Sequence, residues 1–146
     1  MSLTSIIQEG FEQSVLLYRD LVDSLDEESL DRKLPGLPSN TMGSQLWCVV
    51  GARESYTNAI QANEWSGFNC SLNSTTNKTS VTDALQSSGD GVLAVLSHLD
   101  SFTDVQNRLM IDLLEHEAAH HGQLIRYLYG LRLTIPDRWK TKYALK

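Results

Sequence analysis

Cysteine is nearly absent from this chain: Cys48 and Cys70 are the only two thiols in 146 residues, too few for a disulfide scaffold. Basic residues are also short, 12 Lys and Arg against 18 Asp and Glu, and the resulting formal charge of −6 argues against a nucleic-acid footprint or a polybasic membrane surface. No apolar run approaches the roughly 18 to 20 residues that span a bilayer. The stretch Met1 to Gly10 carries neither the basic start nor the apolar segment of a secretory leader, so a cytoplasmic chain with reduced thiols is expected. Sustained alternation of apolar and polar residues is missing too, which argues against a sheet.

Hydrophobic residues make up 41% of the chain, enough to bury a core without staples, and residues 1–146 are read as a single domain. Apolar residues recur at helical spacing from Leu3 to Leu25, through Ile7, Phe11, Val15, Tyr18 and Leu21. The stretch Asp26 to Asn40 breaks that pattern with two prolines and a glycine. Capping side chains at Ser39, Asn40 and Thr41 then predict a second helix starting near Thr41. Met42, Leu46, Val49, Arg53, Tyr56 and Ile60 line one face of it, and the pattern ends in the Ser/Thr/Asn-rich run Asn63 to Thr79, read as a loop. A third helix is predicted over Val81 to Leu99, with a weak point at Gly89 and Gly91, and a fourth over Val105 to Leu131. The tail from Thr134 to Lys146 reads as irregular. The fold class expected is all-α, a four-helix bundle with two long connections.

Three of the four histidines lie within six residues of the fourth segment, His116-Glu117-Ala118-Ala119-His120-His121-Gly122-Gln123. At about 100° per residue, with Leu109 at zero, His116 falls near −20° and His120 near 20°, both on the core stripe, while His121 falls near 120° and looks away. Two imidazoles one turn apart on one face can bring their nitrogens to a single ion at about 2.0 to 2.1 Å. The alternative is a pair of core histidines, each with its own hydrogen-bond partner. Two neutral imidazoles side by side among leucines need two separate partners, which favours a metal. His98, alone in the third helix, reads as structural or superficial.

The letters also spell the zinc-peptidase motif His-Glu-x-x-His. Beyond Glu117 there is no glutamate and a single aspartate, Asp137, so a third carboxylate ligand is lacking, and Gln123 and Arg126 stand where the metzincin pattern needs glycine and histidine. A zinc peptidase is not expected. On the second helix, Cys48 falls near −100° from Val49, on a small-residue edge with Gln45, Ala52 and Ala59, where a cysteine is more often a buried hydrophobe than a ligand.

The run His-x-x-x-His-x-Gly-Gln-Leu from His116 to Leu124, the following Tyr127-Leu128, the tail Gly130 to Trp139, and Leu46-Trp47-x-Val49-x-Gly51-Ala52-Arg53-Glu54-x-Tyr56 together resemble the DinB/YfiT-like family of metal-binding four-helix bundles. The resemblance spans nearly the whole chain. It implies an up-down-down-up bundle, often a homodimer, holding a divalent metal on one histidine of the second helix and two of the fourth. His116 and His120 match that pattern, whereas Cys48 stands at the position of the helix-two histidine and His121 where arginine is usual. Two outcomes follow: a site of two histidines and a cysteine, suited to zinc with nickel as the other candidate, or a vestigial pair of histidines. Some members look like thiol S-transferases or thiol-dependent isomerases and hydrolases, which implies a small-molecule thiol and an electrophile as partners. Arg53, Glu117 and Gln123 are candidates to support the ligands from behind, Glu117 reading more readily as a solvated acid, and Trp65 and Phe68 are candidates to cover the mouth. The rival expectation is a non-catalytic dimeric bundle that binds a ligand or a protein through a structural or vestigial site. A DNA-damage role finds no support in an acidic chain.

Overall fold

In a computed structural model, which describes residues 1–146, the chain is all-helical with no strands. Four long helices, α1 (Leu3–Ser24), α2 (Met42–Ala62), α3 (Lys78–Leu96) and α4 (Asp104–Gly130), precede a short α5 (Asp137–Tyr143), and 3-10 turns lie at Glu27–Asp31 and Leu99–Ser101. Each long helix begins at a side-chain cap: Ser2, Thr41, Asn77 and Thr103 accept hydrogen bonds from the backbone N–H three residues on, and Gln106 completes a capping box with Thr103. The cap at Asn77 explains why α3 starts at Lys78 and not at Val81, where its apolar stripe begins. At its far end it stops at Leu96, and Leu99 opens the 3-10 segment Leu99–Ser101 instead of closing the helix. No helix is long and apolar enough to cross a membrane.

The tail is a correction to the expected irregular segment. Trp139 is fully buried and donates from Nε1 to the Leu17 carbonyl at 2.7 Å, which anchors α5 against α1. Such an aromatic, with its polar atom satisfied, holds a seven-residue helix that has too few turns to persist alone.

Helix α2 is buried nearly all round, because α3, α4 and the Glu27–Asp31 turn all pack on it. The single stripe expected from Met42 to Ile60 was therefore too narrow. At its start, a methyl on Gly43 would meet the Thr75 carbonyl oxygen at 2.2 Å, so the loop backbone lies directly on the helix there. The glycines of α3 do not break it. Gly89 lets α1 approach, since a Cβ there would lie 2.9 Å from a Val15 methyl.

The apolar interior falls into two clusters, one around Leu21, Leu46, Val49, Leu124 and Trp139, the other around Phe11, Ala59, Val92, Met110 and Leu113. Between them on the four long helices lie Ser14, Arg53, Ser88, Glu117 and His121, all buried. A polar layer thus crosses the core beside the histidine pair.

Candidate metal centre

Cys48, His116 and His120 come together: one ligand atom from each lies within 4.8 Å of the others. The two histidines are one turn apart on α4, with ring centroids 4.5 Å apart. Cys48 reaches them because α4 packs on the small-residue edge of α2, so the angle that looked awkward from the sequence points at the site. Its Sγ is 3.5 Å from His116 Nε2. Tetrahedral zinc with bonds of about 2.3 Å to sulfur and about 2.05 Å to nitrogen separates those two atoms by about 3.5 Å, so this sulfur–nitrogen pair fits such an ion in both chemistry and spacing. Cys48 and His116 are half-buried, leaving one side of the cluster open.

The protonation states suit a ligand set. Burial lowers His116, and burial together with the neighbouring His116 lowers His120 to about 4, so both imidazoles are neutral near pH 7. Burial pushes the Cys48 thiol up, so an arriving cation would have to displace its proton. His120 Nδ1 lies 2.6 Å from Gln45 Oε1, whereas His116 Nδ1 is buried with no partner.

Behind the histidines, the expectations for Glu117 and His121 are overturned. Glu117 is 2% exposed, not a solvated acid: Arg53 donates from Nε to Oε1 at 2.5 Å and from Nη2 to Oε2 at 3.2 Å, and Ser14 Oγ donates to Oε2 at 2.7 Å. Burial pushes its carboxyl up, but the Arg53 charge and hydrogen bonds, with the Ser14 hydroxyl, outweigh that and hold it below the ordinary value. Arg53 is 0% exposed, spends Nη1 on the Leu85 carbonyl, and lies 5.0 Å from the centroid of Tyr18. With its carboxylate so engaged, Glu117 is not free to act as a peptidase base. His121, expected to look away, is 4% exposed because α1 and α5 cover that flank of α4. It sits 2.9 Å from Ser14 Oγ and 2.6 Å from the Tyr143 hydroxyl, with Trp139 against its ring.

The other sequence candidates divide. Arg53 supports Glu117 and not a metal ligand. Gln123 is exposed, and the hydrogen bond to a ligand comes from Gln45. Phe68 packs on Trp47, next to Cys48, lying over Gly51, where a Cβ would be 2.2 Å from its ring. Trp65 packs on Tyr56 instead, about 12 Å along α2 from Cys48. His98 is exposed, as expected of a superficial residue. Sequence reasoning missed the roles of Ser14, Gln45 and Tyr143; the one signal for Gln45 was its place one turn before Cys48 on the same edge.

The buried histidines set a pH dependence. Burial is the main cause that lowers both His120 and His121 from 6.5 to about 4. The unfolded chain binds more protons between those values, so their contribution is complete above about pH 6.5 and is lost as the pH falls towards about 4. Glu117, held below its ordinary value, loses its contribution only at lower pH. Metal-free protein should accordingly unfold at lower urea concentration at about pH 5 than at about pH 7.5, and equal midpoints would contradict the burial of neutral histidines.

Comparison with models of protein families, with curated proteins and with solved structures finds no match to this chain.

Proposed function

We propose that the chain is a metal-dependent enzyme of the DinB/YfiT-like type, a thiol S-transferase or thiol-dependent hydrolase or isomerase, with zinc or nickel held by Cys48, His116 and His120. The observation that carries this reading is the convergence of three donors with no fourth protein donor in the group. Three protein ligands are the pattern of catalytic zinc, whereas a structural site is closed by four. A divalent ion there supplies charge that keeps a bound thiol deprotonated at neutral pH. Cys48 and His116 hold the open side, Gln45 backs His120, and Trp47 with Phe68 forms an apolar shoulder beside Cys48.

The up-down-down-up order belongs to the same reading and is supported by register. Ile7 and Met110 line one groove while Tyr18 reaches Glu117, so α1 and α4 run in the same direction. Gln8 donates to Leu96 and Lys78 to Leu25, which sets α3 against α1, and Gln45 meets His120 while Gln106 meets Ile60, which sets α2 against α4. A homodimer is also part of this reading, and the exposed apolar residues Leu3, Ile6, Val105 and Ile111 near the starts of α1 and α4 offer it a face.

The test is consumption of glutathione or cysteine with iodoacetamide as electrophile, followed as loss of free thiol. Zinc-loaded protein should exceed the His116→Ala, His120→Ala double variant by more than about tenfold. Equal rates over a panel of thiols and electrophiles would sink the catalytic reading in favour of a binding bundle.

A further inference from the structure

We infer that Gln45 is a positioning residue that holds His120 in the tautomer able to ligate, with Asn40 and Tyr127 behind it; this rests on the metal reading of the same site. Gln45 is buried on α2, one turn before Cys48, so a single helix edge carries one ligand and the orienter of another. Its amide is fixed at both ends. Nε2 donates to Asn40 Oδ1 at 2.8 Å, and Oε1 faces His120 Nδ1 at 2.6 Å. Asn40 is itself held, because the Tyr127 hydroxyl donates to its carbonyl and, at 3.0 Å, to its Oδ1.

The direction of this chain decides the chemistry of the imidazole. An amide oxygen cannot donate, so the hydrogen between Gln45 Oε1 and His120 must sit on Nδ1. A neutral imidazole carries one such hydrogen, which leaves Nε2 as a bare lone pair able to ligate. Reversal of the Gln45 amide would present Nε2–H to Nδ1, move the ring hydrogen to the other nitrogen and close the ligand. His116 has no such partner, since its Nδ1 is buried and unpaired, so Gln45 is the one side chain that hydrogen-bonds either imidazole from behind. Partners of this kind fix ring orientation and raise ligand basicity.

The experiment uses the full chain as wild type, Gln45→Leu and Gln45→Glu, with zinc ion alone titrated in competition with a chromophoric chelator. Nitrogen-15 NMR of the metal-free proteins reads the His120 tautomer. Gln45→Leu keeps the volume but neither hydrogen bond, and should lose about 10- to 100-fold in zinc affinity. Gln45→Glu retains the acceptor and should bind within a few-fold of wild type, or tighter. Wild type and Gln45→Glu should show hydrogen on Nδ1, and Gln45→Leu a shift towards Nε2–H. A purely structural role would lower thermal stability in Gln45→Leu while leaving affinity and tautomer unchanged, which would overturn the inference. Hydrogen on Nε2 in wild type would overturn it as well. The two failures are separable: wild type that takes up no zinc refutes the metal centre, whereas zinc bound equally by wild type and Gln45→Leu refutes only the role of Gln45.

Discussion

Glu117→Leu should destabilise the protein by about 3 to 5 kcal/mol, although the residue looks like a surface acid in the sequence. Arg53 is 0% exposed, and its Nε and Nη2 have the Glu117 carboxylate as their acceptor. Removing that carboxylate leaves a guanidinium buried between two apolar clusters and takes the acceptor from Ser14 as well. Arg53→Met in the wild-type background should cost a similar amount by stranding Glu117. The double variant Arg53→Met, Glu117→Leu should recover most of the loss, because apolar residues of similar volume often replace a buried ion pair at little cost. Urea unfolding of the three variants gives the comparison. A loss below about 1 kcal/mol for Glu117→Leu would mean that Arg53 finds water or another partner, and that the polar layer is not closed.

His116→Ala with His120→Ala should abolish tight zinc binding, and Cys48→Ser should weaken it by about a hundredfold. In structural sites closed by four protein ligands zinc binding is worth about 10 to 16 kcal/mol, about 3 kcal/mol per ligand, and the loss of one such ligand here corresponds to roughly a hundredfold in affinity. The serine hydroxyl is nearly the same size as the thiol but lacks the soft, readily deprotonated sulfur that suits zinc. Because Cys48 is half-buried and hydrogen-bonds only weakly to His116, its replacement should leave the metal-free fold intact. Isothermal titration of the metal-free proteins separates these effects; Cys48→Ser binding as tightly as wild type would remove Cys48 from the ligand set.

The helices were legible in the sequence because apolar periodicity acts locally, as does the cap at Thr41, which is bonded by the backbone of Ser44 three residues on. The histidine pair was legible for the same reason, being fixed by i, i+4 spacing on one helix. Cys48 could not be placed from its own helix, since its angle gains meaning only once α4 lies on that edge. Glu117 and His121 were misread because a wheel drawn on one stripe assigns the other flanks to solvent. Here α2 brings Arg53 to one flank, and α1 and α5 bring Ser14 and Tyr143 to another, over separations of 64, 103 and 22 residues. The seven residues of α5 escaped for a related reason: they are held by the contact between Trp139 and Leu17, 122 residues away, and not by their own pattern.

The most direct measurement is the metal content of tag-free wild-type protein by elemental analysis, before and after incubation with zinc or nickel and removal of excess ion. A centre built from Cys48, His116 and His120 predicts close to one equivalent of zinc or nickel per chain, gone in the double-histidine variant. Wild-type protein that stays empty after incubation would contradict it, and the two histidines would then be core residues of a binding or structural bundle.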